Sequence, residues 1–403
     1  MHYTRAQNIY DLRRIAKRRL PRITFDFLDG GSEDDVTLRR NRAVFERFGF
    51  RPHTLIDISK RSQQVTVFGK TFNSPFGLAP TGAAGLYSCG ADISLARAAR
   101  DAGIPFVLST ASFVPLEKVA QEAAGGTLWF QLYMSKNRDT AGRLVNRALD
   151  AGSEALIVTT DVPLMGNREY NRRNGFSIPF RLDVRNMIDG VLHPRWLLGV
   201  FFKTLLTSGV PRYVNDDAQA GSKIIDKASF QVRRDEVNWE DFRWLREIWP
   251  RKLFVKGILR ADDAIAAARH GADGVFLSNH GGRQLDGAIS PIEALPEVRA
   301  ALGKPFTIMV DGGFRRGADI VKALALGADM AFVGRAPLYG VTAGGEAGVS
   351  HAIGILRTEV DRVLGLLGCR SIGELSADFL TNADRILAAP QEKDAEMPQI
   401  RLV

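Results

Sequence analysis

Short apolar runs alternate with amphipathic stretches along most of this 403-residue chain. The runs are FGLAP (76–80), PFVLS (105–109), TLWFQLY (127–133), EALIVTT (154–160), LFVK (253–256), DGVFLS (273–278), FTIMVD (306–311) and DMAFVG (329–334). Each has the length and boundaries of a buried strand, and segments between them, such as ADISLARAARDAG and GADIVKALALGA, repeat their apolar positions at three and four as helices do. AGSEALIV, GADGVFLS and GADMAFVG echo one another, each a helix-ending glycine followed by a strand. Eight such units predict a TIM (β/α)8 barrel of class α/β, in which reactive groups gather at the C-terminal ends of the strands.

Two regions break the rhythm. Residues 1–70 form an N-terminal extension, read as a basic helix over 4–19 ended by Leu20-Pro21, then TFDFLDGG, then a polar helix start at SEDD. Its later part, 30–70, is expected to close the bottom or side of the barrel. The second break lies between Thr160 and Leu253, where a long excursion over roughly 165–238 leaves the catalytic face. It contains RWLLGVFFKTLL, 195–206, whose Trp196, Phe201, Phe202 and four leucines stand beside Arg195, Lys203 and Arg212. That segment is too short to span a bilayer; it reads either as an interfacial membrane contact or as a lid or oligomer contact buried against protein. The whole of 1–403 reads as one domain, with a loosely ordered tail from about Pro390.

A hydrophobic fraction of 45% and a charged fraction of 25% are those of an ordinary globular protein. The net charge of +9 favours acidic partners, meaning anionic substrates or lipid headgroups. No basic-aromatic pattern or zinc finger supports nucleic acid. Cys89 and Cys369 form no disulfide framework and no metal spacing. With no spanning stretch and no signal-peptide h-region, the expected location is the cytoplasm or its membrane surface.

Chemistry clusters where the strands end. Strand seven runs into Asp311, Gly312, Gly313 and Arg315, and strand eight into Gly334 and Arg335, the habitual phosphate position of such barrels. No Walker or GxGxxG pattern supports ATP or NAD. Strand six ends in SNHGGRQLDG, placing Ser278, His280 and Arg283 together: a base titrating near neutrality and a guanidinium able to fork onto a carboxylate. Asp161 closes strand four, where it could orient the imidazole. Lys256 ends strand five, suited to a Schiff base or to offsetting negative charge on a bound ring. Pro80, Thr81, Gly82, Ser109, Gln131, Tyr133 and Thr159 complete the rim as groups for the edge and face of a flat heterocycle. No histidine pair has metal-ligand spacing.

Together APTG, LSTAS, LWFQLY, TTDVP with GNRE, LFVKG, SNHGGRQLDG, DGGFRRG and GR resemble the FMN-dependent α-hydroxy-acid dehydrogenase and oxidase family from about residue 8 to 375. LHPRW and FRWLREIWP are most similar to its membrane-associated mandelate and L-lactate members. The resemblance implies FMN as cofactor, its phosphate at Arg315 and Arg335, its ring edge at Ser109, Gln131 and Thr159, its reactive nitrogen near Pro80, Thr81 and Gly82, and Lys256 beside the anionic reduced ring rather than in a Schiff base. It further implies that Arg168 and Arg283 clamp the substrate carboxylate, that Tyr133 contacts substrate oxygens, and that His280 with Asp161 moves the proton. An (S)-2-hydroxy acid would be oxidised to the 2-oxo acid, with electrons passed to a quinone or other membrane acceptor; the alternative is a soluble oxidase that makes hydrogen peroxide from O2. A homotetramer, peripheral on the cytoplasmic face of the inner membrane, is implied too. One position departs: Phe27 stands where the family carries a substrate-binding tyrosine, and Phe25, two residues away, offers no hydroxyl either. Together with Ala111, which replaces a bulky aromatic of the oxidases, this predicts a larger or more apolar acid than lactate, and Gly82, alanine in oxidases, favours a dehydrogenase.

Overall fold

The computed structural model describes residues 2–135, 137–176, 183–215 and 235–382; the tail from Pro390 and parts of the excursion lie outside them. Eight parallel strands close into a barrel: β1 (Phe76–Leu78), β2 (Phe106–Ser109), β3 (Leu128–Leu132), β4 (Ala155–Thr159), β5 (Lys252–Ile258), β6 (Gly274–Leu277), β7 (Thr307–Asp311) and β8 (Met330–Val333), with β8 pairing back to β1. All eight predicted runs are strands of this barrel, so the TIM fold is as expected.

The strands read as unbroken apolar runs because both of their faces are buried. Leu108, Phe130, Leu156, Val255, Val275 and Ile308 point outward into the core shared with the helices. Ala79, Val107, Trp129, Ile157, Phe254, Phe276, Met309 and Phe332 belong to a separate inner cluster that fills the barrel. Side chains alternate with a period of two, so the next inward position lies two residues further along each strand. Those positions are Thr81, Ser109, Gln131, Thr159, Lys256, Ser278, Asp311 and Gly334. The apolar plug thus gives way within one layer, on all eight strands, to small or polar groups at the C-terminal end.

The hairpin of Val65–Val67 and Lys70–Phe72 closes the other end, where Val67 and Phe72 join the inner cluster. In the rest of the extension, the basic helix ended at Leu20 and the helix that starts after SEDD are as expected. Two features differ: TFDFLDGG is itself helical, and the helix after SEDD lies at the catalytic end rather than the bottom or side. Helices α1 (Ile9–Arg19), α2 (Arg22–Asp29) and α3 (Val36–Ala43) include one at TFDFLDGG, and α3 packs on the catalytic end of the barrel. A Cβ at Gly282 would meet Leu38 N at 2.6 Å and one at Gly313 would meet Asn41 O at 2.0 Å, so glycines in two strand-end loops admit this helix. Caps fix the helix starts: Asn8 accepts from Asp11 N at 2.9 Å, and Asn238 and Ser290 form reciprocal capping boxes.

The excursion carries a helix, Val184–Leu192, and a second over residues 194–208, whose middle, Leu197–Phe202, is wound as a π-helix. Trp196 Nε1 donates to Leu86 O at 2.8 Å and ties it to the barrel. Val184, Ile188, Val191, Leu192, Leu198, Phe202 and Leu206 remain exposed, Leu206 at 86%. No helix among the described residues is long and apolar enough to cross a membrane.

Candidate active site

A cleft at the C-terminal mouth encloses about 1460 Å³ of atom-free space, its open side included. Of the residues singled out in the sequence, Phe27, Pro80, Thr81, Gly82, Gln131, Tyr133, Thr159, Arg168, Lys256, His280, Arg283, Asp311, Gly312, Gly313, Arg315, Gly334 and Arg335 line it. Ser109, Ser278 and Asp161 stand behind the wall. Ser109 Oγ donates to Gln131 Oε1 at 2.9 Å and so turns the amide nitrogen away from itself. Ser278 Oγ accepts from Lys256 Nζ at 2.6 Å and from His280 N at 3.0 Å, and donates to Asp311 Oδ1 at 2.6 Å.

His280 Nδ1 lies 3.0 Å from Asp161 Oδ1. Burial pushes the imidazole below its ordinary value, and Asp161 opposes without reversing it. The carboxyl is pushed up by burial but held below the usual carboxylate range by His280 and Lys256. The pair is therefore an ionised aspartate and a neutral imidazole, with Nδ1–H donating to the carboxylate and Nε2 keeping its lone pair. The local chain makes this contact possible. β5 bulges after Lys256, where Gly257 has φ 112° and a Cβ would come within 2.7 Å of Asp161 Cβ.

Lys256 Nζ is 2.8 Å from Asp311 Oδ2. Burial lowers its pKa, but Asp311 and Asp161 outweigh this and hold it above the ordinary lysine value. A Schiff base needs a neutral amine, and this ammonium is held charged between a carboxylate and a serine hydroxyl.

Two buried guanidiniums, Arg315 and Arg335, and two half-buried ones, Arg168 and Arg283, face the same cleft, and among the described residues none forms an ion pair. Arg283 Nη1 donates to the carbonyls of Phe27 at 2.7 Å and Gly30 at 3.0 Å, and its carbon lies 5.0 Å from the Phe27 ring centre. Arg335 donates to Leu28 O, Gly281 O and Gly30 O at 2.9–3.1 Å. Arg168 donates to Arg283 O and Gln284 Oε1, both at 3.1 Å, and Arg315 lies over the Tyr339 ring at 5.6 Å. Burial and the neighbouring Arg168 push Arg283 down to about 9; burial and Arg283 push Arg335 down to about 10. Buried, uncompensated positive charge is costly unless anions bind there.

Several parts of the site carried no separate expectation. Asn41 and Asn279 exchange amide hydrogen bonds at 2.8 Å in both directions, and Gln284 Nε2 holds Asp161 O and Leu164 O. Asn279 and Gln284 sit inside the SNHGGRQLDG motif, which was the available signal. Val162, within TTDVP, and Tyr87, Met165 and Tyr213, which lie outside any motif, also line the cleft. Phe27 stacks on Phe176, ring centres 4.3 Å apart.

A closed barrel whose mouth carries a cationic end, a polar rim and a base–carboxylate pair defines a cofactor-dependent enzyme acting on an anion. The chain matches the family model described as FMN-dependent dehydrogenase over residues 16–382, and it belongs to that family. (S)-Mandelate dehydrogenase of Pseudomonas putida is 45% identical over 385 residues, 95% of this chain and 96% of that protein. A putative L-lactate dehydrogenase of Mycobacterium tuberculosis is 44% identical over 381 residues, 94% of this chain and 90% of that protein. The crystal structure of the monotopic membrane protein (S)-mandelate dehydrogenase superposes with a TM-score of 0.89 at 44% identity, covering 94% of this chain and all of that one.

The family's cofactor is FMN, and the residues present fit it. Gln131 Nε2 and Thr159 Oγ1 are buried polar atoms with no hydrogen-bond partner among the described residues, as suits groups that meet a heterocycle's edge. Gly312 and Gly313, at φ 106° and 85°, turn the backbone beside Arg315 in a way side chains rarely allow, and a glycine turn next to a guanidinium suits a phosphate.

Proposed function

We propose that the chain oxidises an (S)-2-hydroxy acid, in the range from lactate-like to mandelate-like, to the 2-oxo acid and delivers the electrons to a quinone or other acceptor at a membrane surface. The observation that carries this is the His280–Asp161 pair at 3.0 Å, facing the same cleft as Arg168 and Arg283. FMN, when bound, supplies the two-electron sink. Arg315, Arg335 and the Gly312-Gly313 and Gly334 backbone would hold its phosphate. Pro80, Thr81, Gly82, Gln131 and Thr159 would border its ring, with Ser109 and Ser278 orienting that border from behind. Lys256, kept protonated by Asp311, would offset negative charge there.

Arg283 and Arg168 bind the substrate carboxylate, and Tyr133 contacts its oxygens. His280 Nε2 receives a proton, from Cα or from the hydroxyl, and Asp161 stabilises the imidazolium that results. Phe27, stacked on Phe176, gives the cleft an aromatic surface, and the small Ala111 lines the same cleft, which favours an acid with a large apolar group. A mandelate dehydrogenase among the relatives supports the same substrate range.

For attachment, the exposed apolar face of the excursion is bordered by basic groups. Arg22 N donates to Asp189 Oδ2 at 2.6 Å, and burial together with Arg195 lowers the pKa of Arg19, so the basic end of α1 lies beside the excursion helices. Apolar insertion flanked by cations suits the anionic cytoplasmic face of an inner membrane. A homotetramer is part of this reading.

Anaerobic mixing of the yellow holoenzyme with acids from lactate to mandelate and longer tests it. Bleaching, fastest with aromatic acids, is expected; a flavin that no 2-hydroxy acid bleaches would overturn the reading. Stopped-flow reoxidation should then be fast with a quinone analogue and slow with oxygen. The reverse order would make the protein an oxidase.

A further inference from the structure

The excursion returns to the barrel at residues 213–215, and it returns at the rim of the cleft. Val214 N donates to Ser112 O at 3.4 Å, Leu116 N to Asn215 Oδ1 at 2.9 Å and Asn215 Nδ2 to Val114 O at 2.9 Å. The returning arm is thereby laced to the loop that follows β2, through an asparagine that is itself fully buried. Arg212, one residue before the tyrosine, is exposed, yet Tyr213 is turned inward at 6% exposure. Its ring lies 5.5 Å from that of Phe113, and it forms part of the cleft wall. Burial raises its hydroxyl's pKa, and Tyr133 and Arg168 are near enough to act on it as well.

Phe27, which also lines the cleft, presents only a ring, packed between Phe176 and the Arg283 guanidinium. A carboxylate offers about four acceptor sites. Arg168 and Arg283 each already give N–H groups to backbone or side-chain oxygens. A neutral donor can fill a remaining site without adding a third cation to two that already repel each other.

We propose that Tyr213 is a substrate-binding residue: carried in by the returning arm, its hydroxyl donates to the carboxylate of the bound 2-hydroxy acid beside Arg168. This rests on the reading of the cleft as a 2-hydroxy-acid site. The excursion then has two functions, since the segment that meets the membrane surface also completes the substrate pocket.

The test is Tyr213→Phe in the full-length holoenzyme, which keeps the ring against Phe113. The probes are a 2-methyl-2-hydroxy acid, which has no Cα hydrogen and cannot be oxidised, and its methyl ester, each titrated by the change in flavin absorbance. The substitution should weaken the acid about ten-fold, the loss of one hydrogen bond to a charged group, and leave the ester within about two-fold. kcat/KM for an oxidisable acid should fall by a similar factor with FMN content unchanged. Equal weakening of acid and ester, or no weakening of either, overturns the proposal. If 2-hydroxy acids bleach the wild type while the variant binds acid and ester as the wild type does, this inference alone fails; if none bleaches the wild type, the reading of the site fails first.

Discussion

His280 has φ 56°, a conformation side chains rarely adopt, and the two glycines after it also have positive φ. Strain of this kind persists where surrounding contacts over-determine it, here the Ser278 hydroxyl that accepts His280 N. The protonation state has a direct consequence. Since burial puts the imidazole below 6.5 in the fold, it is neutral and able to accept a proton at neutral pH; acid removes that capacity. The rate of flavin bleaching under kcat/KM conditions should be flat near neutrality and fall on the acid side with an apparent pKa under 6.5. Asp161→Asn takes away the charge that opposes burial, so the acid limb should move further down and the rate should drop by about 10²–10⁴-fold. An acid limb that stays in place would assign it to another group. At Gly257, alanine would need both a positive φ and a Cβ 2.7 Å from Asp161, so Gly257→Ala should cost about 1–3 kcal/mol in urea unfolding and slow bleaching sharply.

Among the elements, α3 binds two strand-end loops into one rim. Asn41 from that helix and Asn279 from the loop after β6 satisfy each other in a buried pair. Asn41→Ala leaves the partner amide short of both bonds, at about 1–3 kcal/mol, and should lower the unfolding midpoint together with the bleaching rate. Loss of stability with unchanged bleaching would confine α3 to a structural part. The strands themselves were legible because apolar runs bounded by glycine and proline are local signals. The sequence did not show that α3 would lie on the catalytic end: nothing in VTLRRNRA says which loop its face will meet, and the complementary signals, Gly282 and Gly313, lie far along the chain. TFDFLDGG formed a helix with a clear apolar face, yet so short a segment is ambiguous until it has a surface to pack on.

For the whole molecule, the exposed apolar face of the excursion is the surface through which the proposed membrane attachment would run. Leu198 and Leu206 stand at 65% and 86% exposure on one side of the helix over 194–208. Leu198→Glu with Leu206→Glu should move the protein from the pellet to the supernatant in sedimentation with anionic vesicles, because charge at those positions opposes insertion. Dye reduction should stay at the wild-type rate, neither residue lining the cleft. Persistent pelleting would place the attachment elsewhere.

Periodicity within single strands determined the barrel and most of its chemistry. Once Phe254 and Phe276 point inward, Lys256 and Ser278 must do so one layer higher, so strand-end residues announced which groups would gather at the mouth. The SNHGGRQLDG motif likewise carried Asn279 and Gln284 unrecognised. Tertiary structure decided what no local period encodes: that Ser109 and Ser278 orient their neighbours from behind the wall, that Asn41 supports the His280 loop, and that Tyr213 reaches the cleft. The serine contacts follow from which strands pair around the barrel, whereas Asn41 and Tyr213 depend on the docking of long segments, and since lengthening a loop costs little closure entropy, their paths are set by the particular surfaces they meet.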